Sequence, residues 1–239
     1  AMSDAEHHQK LLAHEKAHGG EPVADDPALD VLAQARARAI PVWWQAETRD
    51  EIHRALDLAQ EFGTTAVIVG GREADKVIDR LKSEKVPVVL LLDFPVEPKV
   101  PTEDEYRKRP DAQRDDPLRV YADHHDRWKA RVASAALLAR EGVPFAIGTE
   151  GVDKIENVPA RLRALIAQGL SPEQTLAALT VDAAKLIGVD RRLGTLEPGK
   201  LAHVVVFSAP FQDEKAKVKY TFINGRKFEI KTDEQPRNA

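Results

Sequence analysis

The stretch LLAHEKAHGG, residues 11–20, sets His14 and His18 four positions apart with Glu15 between them. Side chains at i and i+4 share a helical face, so two imidazoles can grip one zinc-type cation while the carboxylate activates a bound water for hydrolysis. That chemistry needs a third ligand and a buried helix. Gly19 and Gly20 stop the helix at once, and Glu21 stands where the longer metal-binding pattern places Gly. The stretch therefore reads as a solvated helix, and peptide hydrolysis by Glu15 is the weakest functional reading. His7 shares the face of His14 and His18, which makes adventitious nickel or zinc capture the expectation there. A second group, Asp123-His124-His125-Asp126, offers four ligand-type side chains. Adjacent helical residues point about 100° apart, so this group reads as a helix N-terminal cap rather than a metal cluster.

The elements that carry these residues follow from periodicity and punctuation. Helices are predicted over 4–18 and, with Pro27 at its first turn, over 27–39. Then IPVWWQA (40–46) reads as a buried strand, Thr48 caps a helix with Glu51 as its capping-box partner, and Gly63 ends that helix. The unit repeats: strand 64–71, helix 73–84, strand 86–94, helix 126–141, strand 143–149, helix 158–168. Each strand is too apolar to have a wet face, which predicts a parallel sheet covered on both sides. Of the consecutive Trp43 and Trp44, one faces inward and one the helix layer, both as core. The charged, Pro-rich segment 96–120 interrupts the alternation at the end of the third strand, where such excursions often cover a site. Ser171 and Pro172 open a pair of short helices. The tail turns β, with Asn224-Gly225 as a hairpin turn.

Composition excludes several classes. The chain has 239 residues, 43% of them hydrophobic and 31% charged, enough for a real core. A formal charge of −4 gives no basic field for nucleic acid or anionic lipid. There is no cysteine, so disulfides, thiol nucleophiles and thiolate metal sites are excluded. No apolar run reaches membrane-spanning length. A soluble protein is expected, cytoplasmic or periplasmic, and Ala1-Met2 reads as a cloning remnant rather than a signal peptide.

The segment GLSPEQTLAALTVDAAKLIGVDRRLGTLEPGKLAHVVVF resembles the C-terminal end of the amidohydrolase superfamily, in its imidazolonepropionase-like branch. The resemblance extends back through GVPFAIGTEG, VPVVLLLDFP, AVIVGGREADKV and IPVWWQAETRDEIHRALDLAQEFG, which are similar to barrel strands eight, seven, six and five. It implies an α/β fold: the second half of a (β/α)8 TIM-type barrel, four parallel βα units, with a small C-terminal β-sandwich segment. The domains expected are an N-terminal helix and linker over 1–25, a half barrel over 26–189, sandwich strands over 190–232 and a disordered tail over 233–239.

The family's chemistry is metal-dependent hydrolysis of non-peptide C–N bonds. It uses an HxH pair, a bridging strand-four ligand, one His each at strands five and six, and a strand-eight Asp that takes the proton of the attacking water. Carried over by position, the strand-five His falls on Gln45, the strand-six His on Gly70 or Gly71, and the strand-eight Asp on Glu150. The first three ligands have no counterpart. The family's GKLAD pattern ends here in His203. The resemblance thus implies an inactive domain with a structural or partner-binding role and no cofactor. The alternative is the C-terminal portion of an active enzyme completed by an N-terminal half, with zinc or a similar divalent metal. Glu150 is then the candidate base. Gln45, Glu47, Arg72, Glu73 and Asp93, at neighbouring strand ends where barrel sites sit, are candidate substrate contacts. Against this, Arg72, Glu73 and Glu150 read equally as capping or paired charges. Because a half barrel leaves unpaired strand edges, the expected partner is a second copy or a separate N-terminal half barrel.

Overall fold

The computed structural model describes residues 1–108 and 116–230. The predicted tail over 233–239 lies outside them. The chain divides into two compact units, Ala1–Val89 and Leu90–Ala239.

In the first unit, α1 (Met2–His18) packs on α2 (Pro27–Arg36), whose N-cap Asp26 accepts from the Ala28 and Leu29 amides. Ala5 and His8 are the buried residues of α1, and Arg36 reaches Glu6 at 2.7 Å. Strand β1 (Val42–Ala46) pairs in parallel with β2 (Ala66–Gly70), Trp43 opposite Val67 and Gln45 opposite Val69. Helix α3 (Arg49–Glu61) joins them and opens on the predicted capping box: the Thr48 hydroxyl accepts from the Glu51 amide while the Glu51 carboxylate accepts from that of Thr48. Its Ile52, Leu56 and Ala59 make one apolar stripe, and together with Ile68, Leu81 and Val88 they form the buried core. The segment predicted as a single helix from 73 to 84 is split. Residues Ala74–Val77 form a 3-10 turn, and α4 runs only from Ile78 to Ser83. The Ala74 and Lys76 amides bond three residues back, to Gly71 and Glu73, which tightens the backbone.

The strand order of the parallel sheet is β1-β2-β3-β4, with β3 at Val88–Leu91 and β4 at Phe145–Gly148. In the second unit α5 (Glu103–Lys108) lies within the predicted excursion, and α6 (Leu118–Glu141) follows. Helix α6 begins eight residues before its predicted start, so Asp123-His124-His125-Asp126 lies inside it and caps nothing. Pro117 is its N-cap, and Gly142 ends it in the left-handed conformation. Helix α7 (Val158–Ala167) leads to α8 (Pro172–Leu179) and α9 (Val181–Leu186), both packed on β4. Ser171 caps α8 as predicted, reciprocated by Gln174. A separate antiparallel sheet of order β5-β6-β7 contains Val204–Phe207, Val218–Ile223 and Arg226–Glu229. The last two meet at Asn224-Gly225, both with positive φ, as a hairpin of this kind demands.

One expectation fails in β1. Its residues alternate, with Val42, Trp44 and Ala46 on one side and Trp43 and Gln45 exposed on the other, Trp43 at 43%. β1 is a terminal strand of the sheet, and this face of it is wet. Trp43 is therefore not core, while the half-buried Trp44 holds its indole N–H inside without a partner among the described residues. No described helix is long and apolar enough to cross a membrane.

Candidate functional site

Four of the six candidate residues gather at the C-terminal ends of β1 and β2. The chain turns sharply there, at Gly70 with φ +101° and Gly71 with φ +59°. The Gly71 amide bonds to the Ala46 carbonyl at 2.8 Å and the Glu73 amide to the Glu47 carbonyl at 2.9 Å, so the two strand ends stay in step. Gly70 is closely covered. A Cβ built there would lie 2.6 Å from the Glu47 carboxyl carbon, well inside van der Waals contact. Arg72 Nε stands 3.8 Å from the same carboxylate, an ion pair with Arg72 half exposed. Glu73 is fully engaged elsewhere. Its carboxylate accepts from the Arg49 amide at 2.9 Å, at the first turn of α3, and from Lys76 Nζ at 2.5 Å. The Arg49 amide first, and Lys76 second, hold its pKa below the usual 4.5. Gln45 is exposed on the open face of β1.

The second unit brings the other two candidates together at the ends of β3 and β4. Glu150 is exposed in a turn whose next residue, Gly151 with φ +75°, backs onto Asp93: a Cβ on Gly151 would sit 2.8 Å from Asp93 Cβ. Asp93 pairs with Arg131 of α6. Arg161 of α7 donates one nitrogen to the Leu92 carbonyl and another to Asp153 at 2.9 Å. Both guanidinium groups lie over the Phe94 ring, at 6.0 and 5.9 Å from its centre. Phe94 meets Trp128 edge-on, and the Trp128 indole donates to the Pro95 carbonyl at 2.8 Å. His125 stacks on Trp128 and approaches Glu97 at 3.1 Å. The sequence reading missed Phe94, Trp128, Arg131 and Arg161. A signal existed: Trp128, Val132, Ala135 and Leu138 mark the buried stripe of α6, and Arg131 interrupts it with a charge that needs a partner.

These residues do not fit the metal that the resemblance implies. A divalent site of that kind needs imidazole nitrogens converging with a carboxylate. The place of the strand-six ligand is Gly70, without a side chain and filled by Glu47, or Gly71. That of strand five is an amide. Among the described residues no group of three or more His, Cys, Asp or Glu is placed to hold a metal ion.

Comparison with known proteins decides the family. The pattern of the Amidohydrolase family matches residues 45–227. The chain belongs to the amidohydrolase family. Its imidazolonepropionase-like character shows in the curated relatives of this amidohydrolase: the imidazolonepropionase of Shouchella clausii is 37% identical over 82 residues, covering 33% of this chain and 18% of that protein. The 5-methylthioadenosine/S-adenosylhomocysteine deaminase of Moorella thermoacetica is 31% identical over 86 residues, 31% of this chain and 20% of that protein. Among solved structures, an amidohydrolase from Thermotoga maritima superposes with TM-score 0.76 at 26% identity, covering 95% of this chain and 54% of that one. A Xaa-Pro dipeptidase shares the fold alone, with TM-score 0.59 at 18% identity over 84% of this chain and 47% of its own. Such neighbours are TIM barrels. The chain spans about half the length of these solved structures.

Proposed function

We propose that this amidohydrolase-family chain does not hydrolyse C–N bonds itself and serves as a structural or partner-binding unit, joined to a second copy or to a separate N-terminal half barrel. The observation that carries the reading is Gly70. The resemblance puts a metal-binding imidazole at Gly70 or Gly71, yet both hold a positive φ that L side chains rarely adopt, and the Glu47 carboxylate lies over Gly70. A side chain at 70 is opposed by the backbone, and it would also have to displace the Glu47 carboxylate. The exposed face and edge of β1 support the partner half of the proposal, because a terminal strand with an exposed Trp invites cover.

The test combines metal analysis, hydrolysis assays and light scattering on the purified full chain. The expected result is no metal-dependent hydrolysis of imidazolone-type or amide substrates, a metal content unaffected by Glu150→Ala, and a mass above that of one chain or a co-purifying half barrel. Stoichiometric metal that disappears in Glu150→Ala would instead favour the C-terminal portion of an active enzyme, with Glu150 as its base. A monomer with hydrolytic activity would sink the proposal outright.

A further inference from the structure

The HExxH pattern on α1 takes no part in the proposed function, and its geometry separates the two roles its residues would need for hydrolysis. Glu15 is half-buried, and its Oε2 accepts the Val23 amide at 3.0 Å, closing the turn after the helix. A carboxylate engaged this way is not free to activate water on a neighbouring cation. The two imidazoles lie on the surface beside it. His14 and His18 are exposed, and their rings stack with centres 4.6 Å apart and planes 28° from parallel, so they share one helical face and a rotation of these exposed side chains aims both at one ion. His18 Nδ1 lies 3.3 Å from the His14 carbonyl. When Nδ1 donates its proton to that carbonyl, the Nε2 lone pair is left for a metal, the arrangement by which a second contact orients a ligating histidine.

We propose that His14 and His18 form a two-imidazole chelate for a divalent transition-metal ion at the C-terminal end of α1. Two further features favour a cation there. The 17-residue helix ends at His18, so the site sits at the negative end of the helix dipole. The ammonium of Lys10, one turn before His14, is paired with Glu6 at 2.7 Å. Imidazole donors select late first-row ions, Cu2+ most tightly, with water completing the coordination sphere. Bound metal ties residues 14 and 18 together and staples the last helical turn ahead of the Gly19-Gly20 break, so the site couples metal binding to helix order rather than to catalysis.

The experiment is calorimetric titration of the full chain with copper chloride and with nickel chloride, read alongside amide hydrogen exchange. One equivalent should bind, exchange at residues 15–18 should slow, and His14→Gln and His18→Gln should each weaken binding by about tenfold or more. His7→Gln and Glu15→Gln should leave the affinity in place. Because these variants lie away from the strand ends, their outcome is independent of the Glu150→Ala test. Affinity unchanged in both His14→Gln and His18→Gln, or exchange protection appearing only around His124 and His125, overturns the proposal.

Discussion

The strand ends of the two units use similar residues in opposite ways. At β1 and β2, Glu47 and Arg72 form a long ion pair of 3.8 Å in which Arg72 is 48% exposed, and Glu73 serves α3. At β3 and β4, Asp93 and Arg131 are both largely covered, at 24% and 19%, and the cation rests on Phe94. Water screens the first pair and holds little stake in its geometry, whereas the second leaves a costly unpaired group if either partner goes. At the first end Gly70 carries no side chain and the Glu47 carboxylate lies over it. The second has kept its polar groups by locking them to helices.

That contrast breaks most visibly at Gly70. Gly70→Ala should lower unfolding stability by about 1–2 kcal/mol, chiefly from the positive φ, with a smaller part from displacing the Glu47 carboxylate. Adding Glu47→Ala should restore part of the loss, a coupling of about 1 kcal/mol in the double-mutant cycle. A neutral Gly70→Ala in urea titration would mean that Glu47 does not fill this space.

A smaller effect separates the two ion pairs. Arg131→Met should cost about 1–3 kcal/mol by stranding Asp93, while Arg72→Met should stay within about 0.5 kcal/mol. Equal losses in thermal melts would erase the distinction between the two ends.

The smallest effect lies in pH. Glu73 has its folded pKa lowered, so its contribution to stability is present above its unfolded value of 4.5 and is lost as pH falls through the lower folded value. Glu73→Gln should therefore destabilise at about pH 7 and match the parent chain at about pH 2. A gap between the two that persists at low pH would assign the role of Glu73 to packing instead.

Much of this was legible in the residues. The Thr48/Glu51 box, the Ser171 cap and the Asn224-Gly225 turn were readable because each depends on atoms within a few residues. The strands were readable from apolar runs, though each is shorter than predicted because pairing stops before hydrophobicity does. The start of α6 was misread, since the acidic and His residues at 123–126 look like a cap when only local preference is weighed. The six candidate site residues were found at strand ends, but what each one touches was not. Arg49, Arg131 and Arg161, which hold Glu73, Asp93 and the Leu92 carbonyl, come from 24, 38 and 69 residues away.

The order of residues alone settled the family, the βα alternation and the absence of thiol chemistry. These are matters of residue type and short-range geometry. Only the tertiary structure decided that Glu47 covers Gly70, that Glu15 serves a turn while His14 and His18 stay exposed, and that Trp43 meets water. Those outcomes depend on which groups from distant segments share one volume, and packing resolves that for the whole chain at once.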